Sequence, residues 1–99
     1  MSFCVIPALP GWYVLEPVRG EGLGDLSLEP TSIIGWEIYH DTTGVLERLD
    51  PICYSVPVRV RGELLVMSPT TTIETQEGHC FGAGDEGLKN ALAWAKKGE

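Results

Sequence analysis

Apolar residues along this 99-residue chain recur mostly at every second position, and only once at helical spacing. In SIIGWEIYH, residues 32–40, Ile34, Trp36 and Ile38 fall on one side of an extended chain, and Ile33, Glu37 and Tyr39 on the other. DTTG follows at 41–44, with Gly44 free to take a positive φ, and VLERL comes after it. The pattern predicts a hairpin between residues 33–40 and 45–49. Asp50-Pro51 should end or bend its second strand, because the residue before proline is pushed into extended geometry.

The same alternation predicts further strands. GWYVLEPV is rich in aromatic and β-branched residues and is closed by Pro17, which predicts a strand over 11–16. RGEGLGDLSLEPTS has little periodicity and reads as a long surface loop over residues 19–32, with a short extended piece at Leu26 and Leu28. In ICYSVPVRVRGELLVMSP, residues 52–69, Val56, Val58 and Val60 point one way, and Arg59 and Arg61 the other. Gly62 marks a bulge or tight turn there, and ELLVM continues extended. A last strand is expected around Thr72 to Thr75.

Leu88, Ala91, Leu92 and Ala95 recur at i, i+3, i+4 and i+7, which predicts one helix over Asp85 to Lys97. Asp85 and Glu86 sit in its first turn and Lys96 and Lys97 in its last, both favourable to the helix dipole. Gly84 or Asp85 would cap it and Gly98 stop it. So short a helix must pack its stripe on a sheet. The expected fold is α+β: one domain over 1–99, a mostly antiparallel sheet or partly open barrel of about five strands, and a C-terminal helix packed on it.

Composition narrows the function classes. The net charge is −7, and residues 1–58 carry eight acids against two bases. Such a surface repels phosphate backbones and anionic lipid, so neither direct nucleic-acid binding nor membrane binding is expected; a basic protein partner is compatible. Cys4, Cys53 and Cys80 are an odd number with no C-x-x-C pair, which fits a reducing cytoplasm rather than a disulfide framework. The apolar N-terminus lacks a basic n-region and is interrupted by Pro7 and Pro10, unlike a signal peptide, and no apolar run is long enough to span a bilayer.

GAGDEG, residues 82–87, has the G-x-G-x-x-G spacing of a dinucleotide loop directly before the helix. That fold also requires a parallel strand after the helix, whereas only twelve residues follow Gly87. Asp85 and Glu86 would also repel phosphate at this helix end. No cofactor is expected.

The remaining chemistry is sparse. His79-Cys80 could be a base beside a thiol, but adjacent side chains usually point apart, and His40 could join them only through a tertiary contact. Cys4, His40, Cys53, His79 and Cys80 show no zinc spacing, so no metal is expected. Glu16, Glu37 and Glu47 lie on expected strands, where outward carboxylates are ordinarily a solvated face. Arg59 and Arg61 would pair across strands with Glu47 or Glu37, or form a small basic site. Trp94 lies about 100° from the centre of the helix stripe, where it either laps over the sheet rim or belongs to a partner surface.

Without a catalytic constellation, the reading that follows is a non-enzymatic protein-interaction module. Its candidate surface is Trp94 with Glu21, Asp25 and Glu29, and self-association through an edge strand or through Trp94 is included. In size and charge alone the chain is similar to small acidic proteins that phages and mobile elements encode to inhibit host machinery. The alternative is a small enzyme or ligand-binding barrel with a pocket near His40, His79 and Cys80.

Overall fold

The structure is a computed structural model and describes residues 2–22 and 25–98. Its fold is α+β, with eight strands in two antiparallel sheets and one C-terminal helix among the described residues. The strands are β1 (Ser2–Pro7), β2 (Tyr13–Arg19), β3 (Leu26–Ser32), β4 (Gly35–His40), β5 (Leu46–Ile52), β6 (Leu65–Met67), β7 (Thr72–Thr75) and β8 (Cys80–Ala83), followed by α1 (Gly84–Lys96). The larger sheet has the order β3-β2-β6-β7-β8 and the smaller β1-β4-β5. The expected five-stranded sheet carrying a helix is therefore present, and three strands form a second layer.

Where the smaller sheet covers it, the larger sheet is buried on both faces, and there Val14–Leu15 and Leu64–Val66 are apolar without a break. Leu15, Leu65 and Ile73 pack beneath Ala91 and Ala95 of α1, while Val14 and Val66, one residue out of phase, pack against Trp36 of the smaller sheet. Val14, Leu65 and Ile73 are fully buried. The smaller sheet overlaps only part of the larger one, and the molecule is elongated, 48 × 24 × 24 Å.

Three hairpins use one turn. At 41–45, 68–72 and 75–79 the fourth residue donates its N–H to the first residue's carbonyl, and the first residue's N–H is bonded to the fifth residue's carbonyl. The fourth residue has positive φ each time: Gly44, Thr71 and Gly78. Val60 and Glu63 close a tighter turn through Arg61 and Gly62, both at positive φ, so the Gly62 turn lies where the sequence puts it.

Several expectations are corrected. The strand expected over 11–16 runs as β2 from Tyr13 through Pro17 to Arg19; β6 pairs only with its first three residues, so Pro17 leaves no ladder partner waiting for an N–H. Much of the expected loop over 19–32 is strand β3, paired along its whole length with β2. Asp50-Pro51 does not end β5, because Pro51 stands opposite Trp36 at a position needing no N–H toward β4. Val56 and Val58 are exposed, 90% and 53%, and the chain around them forms no strand. The helix cap is Ala83, without a side-chain hydrogen bond, rather than Gly84 or Asp85. The N-terminal strand β1 and the short β8 were not foreseen.

Candidate interaction surface

In the smaller sheet the alternation of β4 is matched by both neighbours. Trp36 stands between Ile6 and Pro51, and Ile38 between Cys4 and Leu49, making one face apolar. On the other face Tyr39 donates its hydroxyl hydrogen to Glu37, Arg48 lies 4.2 Å over the Tyr39 ring, and Arg48 Nε is 3.0 Å from Asp50 Oδ2. The Glu37 bond raises the Tyr39 pKa above its ordinary value, and Arg48 opposes it. Arg48 is thus held on this outward face between the Tyr39 ring and Asp50.

The apolar face is covered at one end only. There Trp36 is buried and meets Trp12 edge to face, ring centroids 5.3 Å apart. Beyond it a groove of about 870 Å³ opens between the sheets, lined by Ile6, Ile38, Leu46 and Leu49 on one side and by Val66, Glu74 and Gln76 on the other. Gln76 spans its side, donating to the Leu49 carbonyl and to Asp50 Oδ1. Leu9 is 75% exposed at this groove and Leu46 55%, with Ile6 and Leu49 also exposed. Glu47 and Glu74 add carboxylates to the lining.

The residues singled out from the sequence lie elsewhere. Trp94 laps over β8 as one of the two expected placements had it: half-buried, its ring is 5.3 Å from Phe81 and 5.5 Å from His79. Arg61 stacks on it at 4.9 Å and donates to its carbonyl, while Arg59 donates to the Gly62 carbonyl. Neither arginine reaches Glu37 or Glu47, since neither lies on a named strand. Glu21 and Asp25 are exposed where β2 turns toward β3, and Glu29 is exposed opposite Glu16. Glu16 is satisfied by the Thr31 hydroxyl and the Val58 N–H.

The residues of the alternative pocket are divided between the two sheets. His40 ends β4 in the smaller sheet, whereas His79 precedes β8 in the larger, and neither lines the groove. His79 Nδ1 is 2.8 Å from Glu63 Oε1. Partial burial pushes the Glu63 pKa up, but hydrogen bonds from His79 and Thr75 prevail and hold it below the ordinary carboxylate value. Cys80 is exposed and bonded to neither histidine. Burial, and then the Glu16 charge, push the Cys53 thiol up and away from its reactive thiolate. Among the described residues no three His, Cys, Asp or Glu side chains are placed to hold a metal ion, and no helix is long and apolar enough to cross a membrane.

The GAGDEG glycines have conformational and packing tasks. Gly82 and Gly84 have positive φ, and Gly87 brings α1 against the β8 backbone. Sequence reasoning missed the groove rim. Its signal was SFCVIP, six residues without a charge, beside an N-terminal Leu9 with no helix to join. No family model, no curated protein and no solved structure matches this chain.

Proposed function

We propose that this chain is a non-enzymatic module that binds another protein through the groove between its sheets. The observation that carries the reading is the rim of exposed Ile6, Leu9, Leu46 and Leu49 around an apolar floor. Soluble chains rarely leave contiguous apolar surface uncovered without a binding role. Glu47 and Glu74 beside it, on a chain of net charge −7, favour a segment with apolar side chains flanked by Lys or Arg. Reversing one rim residue, Leu46→Lys, should abolish stoichiometric capture of a partner while leaving the melting temperature unchanged, because Leu46 is exposed. Capture unaffected by Leu46→Lys and by Leu9→Lys would sink the reading.

A second reading is a small apolar ligand in the same groove. Its volume lies within the range of about 300–1,000 Å³ typical of ligand pockets, and Trp12 and Trp36 line it. Saturable change of tryptophan fluorescence by an apolar compound, lost with Leu49→Lys, distinguishes this reading from the first.

A further inference from the structure

We propose that the outer edge of β1 joins two copies of this chain, β1 pairing antiparallel with β1 about a twofold axis so that Cys4 faces Cys4 of the partner subunit. This stands whether or not the groove takes a partner.

An uncovered strand edge presents N–H and C=O groups that another strand can pair with, and proteins ordinarily block such edges with charge, proline, bulges or brevity. Among the described residues the two sheets have four edges. β3 is blocked by Pro30 and the exposed Glu29. β5 carries Glu47, Arg48, Asp50 and Pro51, and Gln76 already occupies its Leu49 carbonyl. β8 is four residues long, is irregular in its pairing and runs into α1. β1 has none of these devices from Ser2 to Ile6, its one proline, Pro7, standing at the strand's end. Its ladder to β4 is regular, Cys4, Val5 and Ile6 are exposed, and β4 is the one element it packs on extensively.

The pairing of β1 with β4 fixes which of its groups face outward. Ala8 N–H donates to the Ile34 carbonyl, and this pair continues the β1–β4 register. Bonded pairs alternate in an antiparallel ladder, so Ile6 and Cys4 also bond to β4, and the backbone groups of Phe3 and Val5 point away. Pro51 opposite Trp36 requires the same phase, since proline has no N–H to give β4.

Self-pairing must therefore bond odd residues to odd residues. Centring on Val5 would set Pro7 opposite Phe3 and waste a bond, because Pro7 lacks an N–H. Centring on Cys4 bonds Phe3 to Val5 twice over, and Pro7 stays outside the pairing. Cys4 then meets its own copy at a non-bonded position, where Cα atoms are about 4.5 Å apart, within disulfide reach.

Charge confines contact between two copies to this edge. Two chains of net charge −7 repel over most of their surfaces, but β1 brings no ionised side chain into the contact. The pairing also runs the apolar faces of two three-stranded sheets into one six-stranded face. One strand pair buries less than the roughly 1,200 Å² of stable interfaces, so the dimer forms and dissociates with concentration.

The test is sedimentation equilibrium of the full chain from micromolar to millimolar concentration. The mass should rise from monomer toward dimer. Val5→Lys should hold it at monomer, and Val5→Pro should do the same, removing an outward N–H that β4 does not use. Both variants should keep the wild-type melting temperature at low concentration. Oxidising the wild-type dimer with diamide should link Cys4 to Cys4, identified by peptide mass. A wild-type chain that stays monomeric, a dimer unaffected by both variants, or a cross-link through Cys53 or Cys80 in place of Cys4 overturns the proposal.

Discussion

A methyl group at Gly87 would overlap the carbonyl oxygen of Gly82, so α1 and β8 touch backbone to backbone at this point. In an exposed helix, glycine to alanine stabilises by roughly 1 kcal/mol. Here the sign reverses, because the obstacle is main chain and cannot rotate aside. Gly87→Ala should destabilise by about 1–3 kcal/mol, read from the urea midpoint. A variant more stable than wild type would show that the helix rides higher on β8.

Thr71 and Gly84 are joined twice. The Gly84 N–H donates to the Thr71 hydroxyl at 3.0 Å and to its carbonyl at 3.2 Å, which supplies the helix start with an acceptor that Ala83 lacks. That bond explains a β-branched residue at φ 63 where the other two turns have glycine. Thr71→Ala should cost about 0.5–1.5 kcal/mol through the lost hydroxyl. Gly78→Ala, with open space around it at φ 101, should cost roughly 1–2 kcal/mol from backbone conformation alone. Equal stability of both variants with wild type would refute this account of the turns.

Acid should weaken the fold through two exposed turns. Asp41 accepts from the Thr43 hydroxyl, the Val45 N–H and the Thr43 N–H, and these hold its pKa below the ordinary value. Glu63 is lowered as well, by His79 and Thr75 acting against burial. A carboxyl depressed in the folded state stabilises it above the ordinary carboxylate range, and this contribution is lost as pH falls through the depressed value. The urea midpoint of wild type should therefore fall on acidification more than that of an Asp41→Asn, Glu63→Gln double variant. Parallel curves would show that other carboxylates carry the acid sensitivity.

Leu65 and Val56 both sit in the stretch with the strongest strand pattern, yet only Leu65 is buried. Leu65→Ala should cost about 2–5 kcal/mol. Val56→Ala should change stability by less than about 0.5 kcal/mol. A large loss at Val56 would mean that segment 53–59 packs as the alternation suggested.

Local chemistry made part of this fold legible. The Asp41–Gly44 turn, the β4–β5 hairpin, the Gly62 turn, β7 and α1 each depend on residues within a few positions of one another and lie close to where the sequence puts them, although Leu88 of the expected stripe is exposed and Gly87 is buried with Ala91 and Ala95 instead. The helix stripe is also what requires a sheet beneath it. Tertiary structure decided the rest, because pairing is a relation between distant segments. Alternation marks Val56 and Val58 as extended, but Pro57 breaks the donor row and Glu16, forty-two residues away, takes the Val58 N–H. Leu26 and Leu28 look like fragments in a polar loop until β2 pairs with them. Ile6, Leu46 and Leu49 form one groove because β4 holds β1 and β5 on either side of it. The sequence determined which segments could be extended or helical; only the folded chain determined which apolar faces are covered and which are left exposed, since burial depends on what lies opposite.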